Sequence, residues 1–424
     1  MKIYLKNIGN VKEANIEIRG ITVIGGENNT GKSTVGKALY ATFKSFLNVK
    51  YNAHQEKRNS LRSGILNLLQ DVQERSELSI SDVTHIAERV MEEFRTKESS
   101  KEDVRKFLFY ILNLSEQSLE VDKEKISYHI ERIANILSIS DEDFLKIYTQ
   151  RVFNGEFNQQ INNILEIYKG EVILEIKDKK SIINFSQDRV LGIEKNFDIS
   201  TEAMYLDDPF IIDSLPPKGF FSSVFGTGRY NGHKDRLRSL IYSRYNNNLV
   251  DELVAESRLK CVLDKISSAC HGKVFFKNST ELMYKQDDTG LDYRIANLST
   301  GLKTFAIIQS LLLSGMVKDG GLIILDEPEI HLHPEWQLIF AELIIMLQKE
   351  FGLHILLNTH SPYFLQAIEV FAKTYGISDK CDYYLSYNKG NESYFAHVNG
   401  EVDKIYAKLA RPLLVLDSLR YKNE

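Results

Sequence analysis

The first 24 residues alternate between apolar and polar side chains, which is the pattern of short strands with one buried face. Three strands are predicted within residues 2–24, separated by a Gly-Asn turn and an Arg-Gly turn. The stretch GGENNTGKST follows the third strand as residues 25–34, and a helix is predicted from about Lys32 to Phe46. This segment is therefore expected to form a hairpin, a third strand, a glycine-rich loop and a helix.

Between about residue 52 and residue 146, the apolar side chains recur at the spacing of one helix face. The two clearest stripes comprise Val83, Ile86, Val90 and Phe94, and Val104, Phe107, Leu108, Ile111 and Leu112. Ser100 and Asp103 form a capping-box pattern at the start of the second helix. No heptad pattern lasts long enough for an extended coiled coil, so we expect a compact helical lobe.

Strand-like runs return in residues 152–206 and include a predicted hairpin centred on residues 178–180. A helical region is predicted for residues 234–268, followed by a second hairpin whose turn is Asn278-Ser279. The residues after His360 are expected to form two strands and a helix. The chain has no internal repeat and no low-complexity tract.

The length allows either one large domain with an insertion or two domains, and composition alone does not choose between them. At 424 residues the chain exceeds an average domain. We assign residues 1–50 and 151–424 to the α/β domain and residues 51–150 to the helical insertion.

Composition restricts the partners and the compartment. The chain carries 53 basic and 58 acidic residues, so any contact with nucleic acid requires a local basic patch or a partner protein. The three cysteines are far apart and form no zinc or disulfide pattern, which favours a reducing cytosol. The most apolar window, residues 305–317, is too short and too polar to span a bilayer. We expect a cytoplasmic protein without a membrane partner.

The glycine-rich loop matches the pattern G-x-x-x-x-G-K-[ST] and lies between a strand and a helix, as a phosphate-binding loop must. Glycines let backbone N–H groups curl around phosphates at the positive end of a helix. Lys32 is expected to reach the β- and γ-phosphates of a nucleotide, and the Ser33 hydroxyl to bind Mg²⁺. The predicted nucleotide contacts are Gly26, Asn28, Asn29, Thr30, Gly31, Lys32, Ser33 and Thr34.

Acidic residues end a second apolar strand. Residues 322–325 form a continuous apolar run of the kind found in buried parallel strands, and Asp326 and Glu327 follow it. A carboxylate at this strand end is placed to hold Mg²⁺, which we assign to Asp326. A second carboxylate beside it can orient and polarise an attacking water, which we assign to Glu327.

Two further motifs complete the set. Ser299 and Gly301 precede an apolar helix, where a hydroxyl and backbone N–H groups can meet an anion or simply cap the helix. His360 follows a buried strand formed by residues 355–357, which we expect to lie beside the strand that ends in Asp326. His360 would then point at the γ-phosphate.

These four elements, in this order, resemble the Walker A, signature, Walker B and switch-histidine motifs of the ATP-binding-cassette ATPase superfamily. The resemblance implies an ABC-type head, with a parallel-core sheet and an antiparallel β lobe, that binds ATP and Mg²⁺. It implies that two heads pair head to tail with ATP between them, so that Ser299 acts in trans. It further implies that Glu327 is the general base and His360 the γ-phosphate sensor.

The wording of the motifs is most similar to the group of SMC, RecF and OLD-type ATPases. The segment DEPEIHLHPEWQ carries His331 and His333, which could suggest a metal pair, but its match to the OLD-type E-x-x-L-H-P pattern favours a structural and dimer-contact role. From the short segment after His360, we expect no nuclease domain of the kind that OLD proteins carry. The arrangement resembles stand-alone OLD-like ATPases of antiphage defence operons, such as the PtuA ATPases of Septu systems.

The resemblance implies an Mg²⁺-dependent ATPase whose ATP-driven pairing controls a separate effector, a nuclease or toxin, in bacterial antiphage defence. It also implies a homodimer or a higher oligomer. An alternative is a DNA repair or recombination ATPase that binds DNA directly, and a transporter subunit ranks last because the chain has a long insertion.

Two assignments stay open at this point. The γ-phosphate-linking glutamine of the superfamily would be Gln159 or Gln160, with Gln187 as a weaker candidate, and an ordinary surface glutamine is the preferred interpretation of each. The basic and aromatic window of residues 229–244 fits a contact with a phosphate backbone, and a solvated amphipathic helix is the preferred interpretation.

Overall fold

The computed structural model describes residues 1–71, 79–95, 100–114, 123–213, 232–242, 249–277, 281–411 and 416. The described residues fall into two compact units. The first comprises Met1–Leu47 and the described residues from Thr149 onward, and the second comprises Asn48–Tyr148.

The described part of the chain contains fourteen strands, all in the first unit. They are β1 (Lys2–Ile8), β2 (Val11–Glu17), β3 (Ile21–Gly26), β4 (Gly170–Ile176), β5 (Lys179–Ser186), β6 (Arg189–Glu194), β7 (Ala203–Leu206), β8 (Gly272–Lys277), β9 (Glu281–Gln286), β10 (Asp292–Arg294), β11 (Leu322–Asp326), β12 (His354–Thr359), β13 (Cys381–Lys389) and β14 (Glu392–His397). Eleven form one sheet in the order β6-β5-β4-β1-β2-β14-β13-β3-β12-β11-β7. The other three form a small antiparallel sheet in the order β10-β9-β8.

The same residues contain twelve α-helices. They are α1 (Lys32–Phe46), α2 (Val49–Asp71), α3 (Ile80–Glu93), α4 (Lys101–Leu112), α5 (Lys123–Ser138), α6 (Asp141–Phe157), α7 (His233–Tyr242), α8 (Leu249–Cys270), α9 (Thr300–Leu313), α10 (Pro334–Phe351), α11 (Pro362–Thr374) and α12 (Asp403–Leu409). None of the described helices is both long and apolar enough to cross a lipid bilayer.

One side of the large sheet is antiparallel, from β6 through β5, β4 and β1 to β2. Ile3 faces Ile16 across the β1–β2 pair, and both are fully buried, as the alternating sequence pattern predicts. β4 and β5 are joined through Lys177 and Asp178, both with positive φ, which confirms the hairpin in this segment.

The other side of the sheet is parallel from β13 through β3, β12 and β11 to β7, and β14, antiparallel to β13 and parallel to β2, joins the two sides. β3 pairs in parallel with both β13 and β12, and β11 pairs in parallel with both β12 and β7. Every residue of β3, β7 and β11 is buried, as strands covered on both faces require. The carboxyl ends of these strands meet at one edge of the sheet, so the fold class predicted from the motifs is confirmed.

The second unit is helical, with a core made by the apolar stripes of its helices. Val83, Val90, Val104 and Leu108 are fully buried in it, together with residues of α2 and α5. A capping box at Ser79 and Asp82 starts α3, and Ser100 accepts the backbone N–H of Asp103 at the start of α4. Both predicted stripes are confirmed.

One local prediction was wrong and another was incomplete. Residues 152–157 belong to α6 rather than to a strand, because Ser140 and three acidic residues start a helix whose buried face continues through Val152 and Phe153. The two strands and the helix predicted after His360 are present as β13, β14 and α12, but a further helix, α11, precedes them, and Ser361 with Pro362 supplies its start signal. The turn Asn278-Ser279 and the ends of the window 229–244 lie outside the described residues.

Candidate functional site

The phosphate loop runs from the end of β3 to the start of α1, and glycine is required at both of its ends. A Cβ on Gly26 would lie 2.2 Å from the Ser386 Oγ, and Gly31 has φ 81°, a left-handed conformation that side chains rarely adopt. Gly31 directly precedes the first turn of α1, where backbone N–H groups lack helical partners. The loop therefore presents the anion-binding end of a helix.

Neighbouring hairpins hold this loop in place. The Thr30 hydroxyl lies 2.6 Å from the Ser386 hydroxyl on β13. The side-chain amides of Asn388 and Asn10 donate to the Asn29 backbone carbonyl at 3.1 and 3.4 Å. Asn28 and Asn29 themselves are exposed. Sequence reasoning missed Ser386, Asn388 and Asn10, because no local pattern marks side chains that contact a loop so far away in the chain.

The first turn of α1 supplies two hydroxyls with different surroundings. Ser33 is exposed, whereas the Thr34 hydroxyl donates to the Asn10 Oδ1 at 3.0 Å. Thr34 thus links α1 to the β1–β2 turn.

Lys32 is buried with its ammonium group folded onto the loop. Its Nζ donates to the carbonyls of Gly26 at 3.0 Å and Glu27 at 2.8 Å, and it lies 3.5 Å from Glu327 Oε1. A buried ammonium held by two carbonyls and one carboxylate forms a fixed positive charge at the mouth of the loop.

Asp326 ends β11 with both carboxylate oxygens engaged. Oδ2 accepts the Tyr205 hydroxyl at 2.8 Å, and Oδ1 accepts the Asn358 side-chain amide at 2.9 Å. Asn358 faces Asp326 in the β11–β12 register, which confirms that the two strands are neighbours. Each oxygen accepts one hydrogen bond from these partners and keeps a further lone pair.

Glu327 and His360 face each other at the same edge. Glu327 has φ 53°, a strained conformation for a residue with a side chain, and its N–H donates to the Asn358 carbonyl at 2.9 Å. His360 Nδ1 lies 3.4 Å from Glu327 Oε1. Contact with His360, aided by the Lys32 charge, lowers the pKa of Glu327, and the Glu327 carboxylate in turn raises the pKa of His360.

A second carboxyl, Glu329, lies beneath this pair. It is 2% exposed, and its Oε1 accepts the Thr359 hydroxyl and the His360 backbone N–H. Burial raises the pKa of Glu329. Glu329 therefore ties the loop after β11 to the turn that carries His360, a role that the sequence did not suggest.

Ser299 and Gly301 lie at the start of α9. Ser299 is exposed and accepts the Leu302 backbone N–H at 3.5 Å, so it is a weak helix cap. Gly301 is buried, and a Cβ at this position would lie 2.8 Å from the ring of Trp336. Within the described residues, no hydrogen bond or ion pair joins Ser299 to the phosphate loop of the same chain.

The glutamine candidates remain unassigned. Gln159, Gln160 and Gln187 are all exposed. Two other residues, Asp207 and Asp208, follow β7, the neighbour of β11, and line a cleft with Asp326 and Glu327. Sequence reasoning missed them, although LDDP after β7 repeats the pattern of LDEP after β11.

His331 and His333 lie in the segment between β11 and α10. His331 and His333 are exposed, and the His331 ring packs edge-on against Phe210 at 5.7 Å. Among the described residues, no group of three or more His, Cys, Asp or Glu side chains is placed to hold a metal ion by itself.

The basic window contains α7, whose arginines are paired rather than solvated. Arg236 makes a bidentate contact with Glu202, and Arg238 binds Asp235. The described part of this window is therefore an amphipathic helix that packs within the first unit.

The donor set fits a nucleoside triphosphate with Mg²⁺. A glycine cradle that admits no Cβ, a fixed ammonium and a helix N-terminus suit phosphates. A hydroxyl and one carboxylate suit Mg²⁺, which takes few protein ligands and completes its shell with phosphates and water.

Comparison with solved structures includes SMC heads among its matches, with low similarity to this chain. The SMC head domain from Thermotoga maritima is 11% identical, with 94% of this chain and 98% of that chain covered and a TM-score of 0.38. An SmcHead bound to the C-winged helix domain of ScpA is 13% identical, with 95% and 98% covered and a TM-score of 0.45. An Smc head domain with an extended coiled coil, bound to the C-terminal domain of ScpA and derived from Pyrococcus furiosus, is 13% identical, with 99% and 98% covered and a TM-score of 0.41. These values are too low to transfer any property to this chain.

A family model gives a broader match. Residues 21–366 match the family described as "AAA domain, putative AbiEii toxin, Type IV TA system". The matched range includes β3, the phosphate loop, α9, β11 and His360. Because the match spans most of the chain, this protein belongs to that family of AAA-type ATPase domains.

Proposed function

We propose that this site binds and hydrolyses ATP with Mg²⁺. One observation carries the proposal. The Glu327 carboxylate lies between the Lys32 ammonium, at 3.5 Å, and the His360 imidazole, at 3.4 Å, at the sheet edge where the phosphate loop begins. A carboxylate in this position is suited to accept a proton from a water that attacks the γ-phosphate.

Each residue of the site has its own role in the proposed reaction. The loop amides and Lys32 bind the phosphates, and Ser33 and Asp326 would hold Mg²⁺, which neutralises phosphate charge when bound. Glu327, whose pKa is lowered, stays ionised at neutral pH and takes the proton of the water. His360, whose pKa is raised, donates a hydrogen bond to the charge that develops on the γ-phosphate.

The test is Glu327→Gln, which keeps the size of the side chain and removes its basicity. Hydrolysis is expected to fall at least about a hundredfold, because general bases contribute factors of this order, while binding of a fluorescent ATP analogue is retained. Glu335→Gln, at an exposed position in the first turn of α10, is the matched control. Wild-type turnover in Glu327→Gln would show that Glu327 is not the base.

We further propose that two heads pair head to tail around ATP. Ser299 is exposed at a helix N-terminus and is only weakly engaged in its own chain, which suits a hydroxyl that binds the γ-phosphate held by a second copy. Glu327→Gln is expected to accumulate this ATP-bound dimer, and mass photometry with and without ATP measures it. A variant that stays monomeric at saturating ATP would contradict the pairing.

We also propose that this pairing controls a separate nuclease or toxin in bacterial antiphage defence, in the manner of stand-alone OLD-like ATPases such as PtuA. The family description, which names a toxin and a toxin–antitoxin system, supports such a setting. Co-purification with the product of the neighbouring gene, together with a phage-protection assay, tests the proposal. A protein that purifies alone and gives no protection would refute it, and DNA-stimulated hydrolysis would favour a DNA repair ATPase instead.

A further inference from the structure

Tyr205 is a buried tyrosine whose hydroxyl contacts Asp326, the carboxylate assigned to Mg²⁺. It lies on β7, is 1% exposed and donates its hydroxyl to Asp326 Oδ2 at 2.8 Å. β7 pairs with β11 in a register that places Tyr205 beside Ile324, two residues before Asp326. The hydroxyl therefore reaches the end of the neighbouring strand from a rigid position.

Helix α1 leaves room for this hydroxyl. Gly36 lies inside α1, where glycine costs up to about 1 kcal/mol relative to alanine. A Cβ at that position would lie 3.3 Å from the Tyr205 hydroxyl and 3.2 Å from the Ile324 Cγ2. A glycine that is unfavourable for the helix thus keeps the Tyr205 hydroxyl free to meet Asp326.

An ion cluster holds the Tyr205 ring from the other side. The imidazole of His233 stacks on the Tyr205 ring at 4.4 Å, with 23° between the planes. His233 binds both oxygens of Glu156, through its backbone N–H at 2.8 Å and its Nδ1 at 2.6 Å, and its Nε2 lies 3.1 Å from Asp207. The two carboxylates raise the pKa of His233 to about 9, so the ring carries a positive charge at neutral pH.

We propose that Tyr205 is a positioning residue for Asp326, and that His233 with Glu156 and Asp207 holds Tyr205 in place. The inference rests on the proposed function, in that Asp326 is taken as the Mg²⁺ carboxylate. Partners that orient a ligating carboxylate commonly change metal affinity ten- to a hundredfold when removed. Tyr205, His233 and Glu156 lie outside the phosphate loop, so a change at Tyr205 or His233 is expected to alter the Mg²⁺ requirement and to spare the phosphate contacts of the loop.

The experiment uses Tyr205→Phe in the full chain. Binding of a fluorescent ATP analogue is measured against Mg²⁺ concentration and, separately, in EDTA. The Mg²⁺ concentration for half-maximal enhancement of binding is expected to rise about tenfold, while the affinity in EDTA stays within about twofold. Tyr375→Phe is the matched control, because the Tyr375 hydroxyl also donates to a carboxylate, Glu342, at 2.6 Å.

Two further variants separate positioning from stability. His233→Gln is expected to shift the Mg²⁺ requirement in the same direction by a smaller factor. In an Asp326→Asn background, Tyr205→Phe is expected to cause no additional shift, since its acceptor is already altered. Additive effects of Tyr205→Phe and Asp326→Asn would overturn the inference.

The outcomes distinguish this inference from the proposed function. A wild-type protein without Mg²⁺-dependent nucleotide binding would refute the proposed function itself. An unchanged Mg²⁺ requirement in Tyr205→Phe, with normal wild-type binding, would refute only the role of Tyr205. If Tyr205→Phe lowered both the thermal midpoint and the nucleotide affinity in EDTA, and Tyr375→Phe did neither, Tyr205 would have a structural role. That result would also refute the positioning role.

Discussion

At the scale of single residues, Glu329 shows how burial and function meet. Its carboxyl accepts the Thr359 hydroxyl and the His360 N–H through one oxygen, while Oε2 has no hydrogen-bond partner among the described residues. An amide at this position can keep both hydrogen bonds through its carbonyl and carries no charge. The residue therefore offers a direct test of the cost of a buried carboxylate.

Glu329→Gln is expected to stabilise the protein more at high pH than at low pH. The pKa of Glu329 is raised in the folded state, so the folded protein binds the proton more tightly than the unfolded chain. The free energy of unfolding of the wild type therefore falls as the pH rises from the unfolded pKa through the folded one, and Glu329→Gln lacks this loss. Thermal midpoints of both proteins between pH 4 and pH 8 measure the difference, and a difference that shrinks as the pH rises would contradict it.

The pH dependence of hydrolysis should report the Glu327–His360 pair. Glu327 must be ionised and its pKa is lowered, so kcat/KM is expected to be lost only in acid below the usual carboxyl range. His360 must be protonated and its pKa is raised, so activity declines as the pH rises through a value above the usual 6.5. His360→Ala should lower activity and remove the alkaline decline. An alkaline decline that persists in this variant would assign it to another group.

At the scale of secondary-structure elements, sequence reasoning works where a motif is local. β3, the phosphate loop and α1 are contiguous in sequence, and their pattern predicts the strand, the glycine-rich loop and the bounds of the helix. The pairing of β11 with β12 follows from two buried apolar runs that end in polar residues. The end of α6 was misread because its buried face, with Val152 and Phe153, contains residues that also favour strands.

The contacts that sequence reasoning missed come from distant elements. β13 lies beside β3 although more than 350 residues separate them, so Ser386 meets Thr30 only through the sheet order. β7 is short, and its LDDP ending reaches the site only because β7 pairs with β11. Strand order is set by long-range packing, which the pattern along the chain does not encode.

The contact between α9 and α10 can be followed with the single tryptophan of the chain, Trp336. Gly301→Ala would place a Cβ 2.8 Å from two atoms of the Trp336 ring, which must then shift. Overpacking of this kind typically costs about 1–3 kcal/mol, and we expect a lower free energy of unfolding together with a changed Trp336 emission. Gly192→Ala, where an added Cβ meets no atom within 4 Å, should change neither. An unchanged emission in Gly301→Ala would contradict the packing of α9 on α10.

At the scale of the whole molecule, the large sheet brings both ends of the chain to one site. Lys32 precedes the helical unit in sequence, and Glu327 and His360 follow it, yet the parallel strands place all three at one edge. Ser299 belongs to the same first unit but makes no hydrogen bond or ion pair with these residues in the described structure. If Ser299 binds the γ-phosphate as proposed, it does so in a second copy of the chain.

Head-to-tail pairing predicts that two inactive variants restore activity when mixed. Lys32→Ala removes the phosphate lysine, and Ser299→Arg blocks the contact in trans, so each homodimer has two defective sites. In a mixed dimer, the site that combines Lys32 of the Ser299→Arg chain with Ser299 of the Lys32→Ala chain is intact. Random mixing at equal concentrations then restores roughly a quarter of wild-type ATPase activity, since half the dimers are mixed and each carries one intact site.

The control is a mixture of Lys32→Ala with Glu327→Gln, because both residues lie on the same half of the site. In such a mixed dimer one site lacks its lysine and the other lacks its base, so neither site is intact. Activity that stays at the level of the separate variants at every mixing ratio would mean that Ser299 acts within its own chain or not at all.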